Sequence, residues 1–311
     1  MTTFNELQHQ NEEAARKWFE ELRWPGGVVC PHCGTVGTAY ARSKLGLYRC
    51  AEKECRKDFT VTTKSVMESS HIPLRLWAQA FTLLCSSKKG MSAHQLHRTL
   101  KITYKSAWFL CHRIREAMRT GGLEPLGGEG KIVEADETYY GPTEKPYASP
   151  QRKGRPFTGG GRGPANKRPI VALVERGGSV RTFHVPVADK DTVTKIVRGN
   201  IARESRLHTD DSRLYIGSDV HFAAHETVTH SHGEYVRGDV HTNTAEGYFS
   251  IFKRGMRGVY QHCKEKHLHR YLAEFDFRYN HRIKLGYNDG DRAALAVKHA
   301  AGKRLTYRQP H

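Results

Sequence analysis

The pattern of apolar and polar positions divides the chain into helical and strand-rich regions. Residues 5–23 have the apolar spacing of one helix. Strand-like pieces, GLYRC and DFTVTT, follow in a Gly- and Cys-rich stretch, and the turn-rich segment GGLEPLGGEG predicts a domain boundary further along. The predicted regions are an N-terminal helix (1–25), a small Cys-rich module (26–62), a helical region (70–120), a region of alternating strands and helices (130–285) and a basic C-terminal tail (286–311).

The region 130–285 has the pattern of an α/β domain with a mixed sheet. Three runs are rich in strand-forming residues, KIVEADETYYG, RPIVALVERGG and SVRTFHVPV, and the GG between the last two favours a hairpin. DKDTVTKIVRGNIAR has a helical pattern, and SRLHTD has a strand pattern. This order predicts a mixed sheet with helices packed on it. The segment 143–168 is rich in Gly, Pro and basic residues, which predicts a mobile basic loop between the first two strands.

The helical region predicts two helices around the short turn KITY. Ser92 is placed to cap the first helix, with Gln95 as its capping-box partner. This layout is typical of a helix-turn-helix, whose second helix enters the DNA major groove, and a plain helical hairpin is the alternative. The residues assigned to DNA are on the second helix: Tyr104, Lys105 and Ser106 near the groove, and Arg113 and Arg115 at phosphates.

The charge balance points to a polyanionic partner. The chain of 311 residues has 50 Lys and Arg against 32 Asp and Glu, a formal net charge of +18 and a pI near 9.7. Nucleic acid is the commonest such partner, and an anionic membrane surface is the rival. No apolar run reaches the roughly 18 residues of a spanning helix, and the N-terminus lacks the pattern of a signal peptide. We therefore expect a cytoplasmic, nucleoid-associated protein that does not act at a membrane.

Four of the seven cysteines form a cluster with metal-ligand spacing. Cys30 and Cys33 have the two-residue spacing of a zinc knuckle, while Cys50 and Cys55 are separated by four residues instead of the commoner two. Four thiolates from two hairpins suit tetrahedral Zn²⁺ at about 2.3 Å per sulfur and leave no position for substrate, which predicts a structural zinc ribbon. The alternatives are four unrelated reduced cysteines, or His32 in place of one cysteine.

Three acids lie on three separate predicted elements. Asp136 is inside the strand KIVEADETYY, Asp210 ends the strand SRLHTD, and Glu246 is in the helical run DVHTNTAEGYFSIFKR. A charge inside a strand is costly unless it is paired, metal-bound or at a sheet edge. Such carboxylates could hold two divalent cations for phosphodiester chemistry, and Mg²⁺ suits that role. Taken singly, each acid is equally compatible with an ordinary exposed position.

Lys253 follows Glu246 by seven residues, which is close to two helical turns. Both side chains should therefore leave the same face of the helix. The pattern is compatible with an ordinary exposed Glu–Lys helix, and also with the last part of a metal site that holds a phosphate backbone.

The chain resembles a known family through four motifs, VEADETYYG, HTDDSRLY, HTNTAEGYFSIFKRGMRGVY and KHLHRYLAEFDFRYNHR. They are similar to those of the DDE-type transposases of bacterial insertion sequences, and more narrowly of the ISXO-like family designated fifteen-ninety-five. The resemblance covers about residues 15–285 and includes the zinc ribbon and the helices before the motifs. It implies a ribonuclease-H-like catalytic domain with two Mg²⁺ ions, with Mn²⁺ as a substitute. It also implies double-stranded DNA as substrate, in the form of terminal inverted repeats and target, and a homo-oligomer that pairs two element ends.

The resemblance also implies roles for single residues. Asp136, Asp210 and Glu246 would be the first, second and third catalytic acids and the Mg²⁺ ligands. Lys253 would hold a DNA phosphate near the cut. Asn243 could share the metal or contact a phosphate, because some members of the group are taken to use Asn as the third ligand.

The choice between Asp210 and its neighbour Asp211 stays open. Neighbours in a strand face opposite ways, so only one of the two can face the site. Asp210 is favoured, because it ends the apolar strand and Asp211 starts the turn.

A transposase that cuts and joins DNA is the favoured function. A structure-selective nuclease of the same fold would cut without joining, and a non-catalytic regulator would bind DNA through the zinc ribbon and helices. The presence of all three acids and of Lys253 argues against a regulator, which would tolerate their loss.

Overall fold

The computed structural model describes residues 10–121, 124–144, 166–230 and 233–306. Within these residues the chain forms two compact units. The first extends to Thr120 and resumes at His281, and the second is Gly121–Asn280. The basic loop predicted at 143–168 falls, over residues 145–165, outside the described part of the chain.

The first unit begins with α1 (Glu12–Arg23), inside the predicted helix. The side-chain oxygen of Asn11 accepts the N–H of Ala14 at 2.8 Å and caps the helix. Three short antiparallel strands follow in the order β1-β2-β3, with the bounds β1 (Ala39–Ala41), β2 (Tyr48–Cys50) and β3 (Asp58–Phe59). Since β2 ends at Cys50, this small sheet positions one of the clustered cysteines.

Three helices follow in the first unit, α2 (Leu74–Ser86), α3 (Ala93–Leu100) and α4 (Tyr104–Met118). The hydroxyl of Ser92 accepts the N–H of Gln95 at 3.1 Å, which confirms the predicted cap of α3. Thr103 caps α4 in the same way through the N–H of Ser106, at 3.1 Å. Lys101, in the left-handed conformation with φ 53°, ends α3, so the chain turns sharply between these two helices.

The prediction that Arg113 and Arg115 contact DNA phosphates is wrong. Their exposed fractions are 8% and 2%, and a guanidinium N–H of Arg113 donates to the carbonyl oxygen of Glu68 at 3.0 Å. The physical reason is that α4 is packed against α2, α3 and a further helix, α8 (Asp289–Lys298). The exposed residues of α4 lie in its first turn, at Tyr104 and Lys105.

The predicted basic tail, residues 286–311, is also corrected. Part of it forms α8, which packs on α2 through the buried residues Ala293, Ala296 and Val297. Asn288 and Asp291 form a reciprocal capping box at its start. These residues therefore belong to the core of the first unit.

The strands of the second unit are β4 (Ile132–Pro142), β5 (Lys167–Glu175), β6 (Val180–His184), β7 (Arg206–Asp210) and β8 (Ala224–Val228). They form a five-stranded mixed sheet in the order β6-β5-β4-β7-β8. The strands β4, β5 and β6 are antiparallel neighbours, whereas β7 is parallel to β4 and β8 is parallel to β7. The mixed sheet is confirmed, and β8 is a strand that the sequence pattern did not predict. None of the helices in the described ranges is long and apolar enough to cross a membrane. The α-helices of this unit are α5 (Lys190–Asn200), α6 (Asn243–Gly255) and α7 (Leu268–Asn280).

Each face of this sheet carries its own apolar core. Val133, Leu173 and Leu207 pack with residues of α5 on one face. Ala172 and Val174 pack with residues of α6 and α7 on the other face. Because side chains alternate along a strand, each position of β4 and β7 is assigned to one of these two faces.

Candidate active site

Asp136 lies in the central strand, on the face that α6 covers. Val133 and Ala135 are alternate residues of β4 and belong to the core under α5. Asp136, the residue after Ala135, therefore projects from the opposite face of the strand. Further along the same set of positions, Tyr140 contacts Phe252 of α6, with ring centroids 5.5 Å apart. The first predicted acid is therefore half-buried between the sheet and this helix.

Asp210 ends β7, the strand that lies beside β4. The parallel register pairs Glu134 with His208, and two further residues along both strands bring Asp136 beside Asp210 on the same face. Asp210 is half-buried, whereas Asp211 is exposed in the turn after the strand. The fold thus brings the first two predicted acids together, and it turns Asp211 toward solvent.

Burial and neighbouring carboxylates act together on these acids. Burial raises the pKa of Asp136 well above its usual range, and the carboxylates of Glu137, Asp210 and Glu246 raise it further. Burial also raises the pKa of Asp210, although a backbone hydrogen bond and His230 lower it. Carboxylates that repel one another in a half-buried site are stabilised by a bound cation.

The third predicted acid lies on α6, near its start. Asn243 is the first residue of the helix, and Asn243 and Glu246 are both exposed, one turn apart. Lys253 is half-buried two turns further on. Burial lowers the pKa of Lys253, and the carboxylate of Asp136 partly offsets this effect. Among the described residues neither Glu246 nor Lys253 forms an ion pair, and the ammonium of Lys253 lies 6.0 Å from the centroid of the Phe249 ring, so the structure does not support an ordinary Glu–Lys pair on this helix.

Glu137, the residue after Asp136, is a further acid that sequence reasoning missed; it lies on the opposite face of β4, where its charge still raises the pKa of Asp136. Its carboxylate accepts the hydroxyl of Tyr215 at 2.9 Å and that of Ser212 at 3.2 Å. Burial raises the pKa of Glu137, and so does the charge of Asp210. These hydrogen bonds tie the turn after β7 to β4, which fixes the surroundings of Asp210. The motif VEADET contains Glu137, but its structural role becomes visible only through its hydrogen bonds to Ser212 and Tyr215, which are distant in sequence.

The three predicted acids form a looser group than the cysteines. Within the described ranges, one set of three or more His, Cys, Asp or Glu residues has ligand atoms all within 4.8 Å of one another, and it is the cysteine cluster. Asp136, Asp210 and Glu246 are electrostatic neighbours, but they are not that compact. Their donor set, carboxylate oxygen throughout, is nevertheless the type that Mg²⁺ prefers.

Cys30, Cys33, Cys50 and Cys55 come together in the first unit. Their sulfurs lie within 4.8 Å of one another, and the separations Cys30–Cys55 and Cys33–Cys50 are 3.8 and 3.6 Å. A tetrahedron with metal–sulfur bonds of about 2.3 Å has edges of about 3.8 Å, so the cluster fits a tetrahedral Zn²⁺ ion. His32 is not part of this group.

A tight turn of the backbone brings the cysteine sulfurs close together. Gly34 follows the knuckle with φ +83°, a conformation that a residue with a Cβ rarely adopts. Its N–H donates to the carbonyl oxygen of Cys30 at 2.8 Å and closes the turn. Hydrogen bonds from Thr35 lower the pKa of the Cys33 thiol, whereas burial raises the pKa of Cys50.

Comparison with known proteins identifies relatives for both units. Residues 125–280 match the ISXO2-like transposase domain, and residues 10–58 match a transposase zinc-ribbon domain. A Halobacterium salinarum protein, described as an uncharacterized protein in transposable element ISH50, is 30% identical over 277 residues. The alignment covers 86% of this chain and 90% of that protein.

Proposed function

Because this chain belongs to the ISXO2-like transposase family, we propose that it binds the terminal inverted repeats of its insertion sequence and catalyses metal-dependent DNA strand cleavage and strand transfer. The observation that carries the catalytic part is the placement of Asp136 and Asp210 on one face of neighbouring parallel strands. Glu246 and Lys253 lie on the helix that covers this face. The charge of Glu246 raises the pKa of Asp136, and the charge of Asp136 raises the pKa of Lys253.

The sheet supports a ribonuclease-H-like fold for the second unit. Its order is β6-β5-β4-β7-β8, with three antiparallel strands followed by two strands parallel to β4. One helix, α5, packs on one face, and α6 and α7 pack on the other. The three acids lie on the central strand β4, on its neighbour β7 and on the helix α6.

The residues of this face would have separate roles in DNA cleavage and strand transfer. Asp136, Asp210 and Glu246 would hold two Mg²⁺ ions, for which Mn²⁺ would substitute. Bound Mg²⁺ supplies activation of the attacking oxygen and stabilises the leaving oxygen. Lys253 would bind a phosphate of the cut strand, because its ammonium is half-buried beside Asp136 and has no carboxylate partner among the described residues. Asn243, on the same side of α6 as Glu246, would contact a phosphate or complete the ligand set.

The first unit would bind the element ends. Zn²⁺ held by the four cysteines would fix the ribbon, as closed thiolate sites do. The arrangement α3–turn–α4 is compatible with a helix-turn-helix, in which the first residues of the second helix contact bases. Tyr104 and Lys105 are exposed in the first turn of α4, and the ring of Tyr104 stacks on that of His94 with centroids 4.2 Å apart.

The test is incubation of the protein with the DNA that flanks its own gene, in Mg²⁺. We expect cuts at the repeat ends and joined products on a target plasmid, together with a complex of at least two protomers that pairs two ends. Asp136→Ala and Glu246→Ala should bind the ends with nearly normal affinity and leave them uncut. Cutting without joining would identify a nuclease instead, and binding without any cutting by the wild type would identify a regulator.

A further inference from the structure

Glu134 carries a fully buried carboxylate in the centre of the sheet, two residues before Asp136. One oxygen accepts the backbone N–H of Thr244 at 2.8 Å and that of Ala245 at 3.0 Å. The other accepts the hydroxyl of Thr244 at 2.8 Å and the guanidinium Nε of Arg176 at 2.9 Å. A buried charge persists only with such partners, so the position of this carboxylate is strongly determined.

These bonds make Glu134 the cap of α6. The residue before the helix, Thr242, makes no capping bond through its side chain. Thr244 and Ala245 are the second and third residues of the helix, whose N–H groups an N-cap side chain normally accepts. A carboxylate from β4 therefore takes the place of a local cap, and its charge also stabilises the helix N-terminus.

Arg176 ties the segment before α6 to the same carboxylate. Besides its bond to Glu134, its guanidinium donates to the carbonyl oxygens of Asp239 at 2.8 Å and His241 at 3.2 Å. The approach to the helix and its first turn are thus both fixed relative to β4.

Glu134 and Asp136 are alternate residues of one strand, so they project from the same face about 7 Å apart. Glu134 accepts the backbone N–H of Ala245, and Glu246 is the next residue of the helix. We propose that Glu134 is a positioning residue for the metal site: it fixes the first turn of α6, and with it Glu246, relative to Asp136 on β4. This inference rests on the proposed function, because it assumes that Asp136 and Glu246 bind a common metal.

The test uses Glu134→Gln and manganese alone as the probe. A glutamine amide turns an N–H₂ toward groups that are themselves donors, so part of the cap is lost. We expect faster amide exchange of Thr244 and Ala245, and roughly 10-fold weaker Mn²⁺ binding by electron paramagnetic resonance of the free ion, the usual size of an outer-shell effect. The share of Mn²⁺ bound at this site is defined by its loss in Asp136→Ala. Cleavage by Glu134→Gln should be partly restored by higher Mn²⁺, with DNA binding unchanged.

Glu274→Gln is the matched control, because Glu274 is equally buried and is paired with Arg278 on α7. It should lower the unfolding free energy without changing Mn²⁺ affinity. Thr244→Val, a milder second variant, removes the hydroxyl donor but keeps both backbone donors, and we expect a smaller loss in the same direction. Unchanged Mn²⁺ affinity in Glu134→Gln, or an equal loss in the control, would overturn the inference while wild-type cleavage leaves the proposed function standing. A wild type that neither binds Mn²⁺ nor cleaves would overturn both.

Discussion

Ser212 donates its backbone N–H to a carboxylate oxygen of Asp210 at 3.1 Å, across the turn that ends β7. Asp211 lies between them in sequence, but it is exposed. The turn therefore holds the Asp210 carboxylate at the end of β7, beside Asp136 of the central strand. Tyr215 and Ser212 in turn bond Glu137, so the turn is fastened to β4 as well.

From this geometry we expect Asp210→Asn to reduce DNA cleavage by roughly 100-fold or more. Metal-held charge contributes several kcal/mol to such reactions, and each 1.36 kcal/mol is a factor of ten in rate. Asp211→Asn is the matched variant and should retain cleavage within a few-fold of the wild type. Both are measured as initial cleavage rates on an end fragment in Mg²⁺. The reverse order of effects would assign the second acid to Asp211.

Zinc removal should unfold the Cys-rich module, residues 26–62. The four thiolates close around one site, and closed zinc sites contribute folding free energy directly. Cys30→Ser or Cys50→Ser should lower the zinc content from one ion per chain toward none, increase amide exchange across the module and weaken binding to element ends. Zinc is measured by atomic absorption. Cys263→Ser, a cysteine outside the cluster, should keep both the zinc and the protection, and a folded module in zinc-free protein would contradict the assignment.

Much of the secondary structure could be predicted from the sequence, because apolar periodicity records which side of an element is buried. The strand SRLHTD ends at Asp210 in the structure, and the cap at Ser92 is present. In contrast, β8 was missed. Its sequence, AHETV, has no apolar alternation, and backbone pairing with β7 determines its conformation instead.

Long-range packing accounts for the errors. Arg113 and Arg115 have the charge of surface residues, but α8, more than 170 residues later, is one of the helices that pack around α4. Similarly, Glu134 and Glu137 stand in the motif beside Asp136, yet their roles depend on Thr244, more than 100 residues away, and on the turn after β7. Alternation in a strand predicts which residues share a face, but not which distant groups meet them there.

Lys253→Ala should weaken DNA binding with little change in metal affinity. If the ammonium contacts one phosphate, its loss should lower the slope of log affinity against log salt by about 0.9 for duplex DNA. The measurement is binding to an end fragment at several salt concentrations, in Ca²⁺ to block cutting. Arg254→Ala is the matched control, because Arg254 is the adjacent cation but is exposed. An unchanged salt slope together with normal cleavage in Mg²⁺ would return Lys253 to an ordinary solvated role.

The last prediction concerns pH and the packing of α7 on β6. The carboxylate of Asp276 accepts three hydrogen bonds: from the backbone N–H of Thr182 at 3.0 Å, from the hydroxyl of Thr182 at 3.0 Å and from the hydroxyl of Tyr248 at 2.6 Å. Burial raises the pKa of Asp276 to about 6, from an ordinary value of 3.8, although these bonds lower it. The folded state therefore binds more protons than the unfolded state between pH 4 and 6, and this group's contribution to stability falls as pH rises through that range.

Asp276→Asn removes the titrating group, so the free energy of unfolding should lose this pH dependence. We expect the variant to be less stable than the wild type near pH 4.5, because an amide fits three donors less well than a protonated or charged carboxyl group. Its deficit should shrink by about 2 kcal/mol between pH 4.5 and pH 7, the part of the pKa difference that falls in this range. Urea unfolding at a series of pH values measures this. Thr182→Val removes the hydroxyl donor and keeps the carboxylate, so it should still lose stability as pH rises, over a range that extends higher because that bond lowers the pKa of Asp276. A deficit in Asp276→Asn that is constant with pH would show that Asp276 is already charged throughout this range.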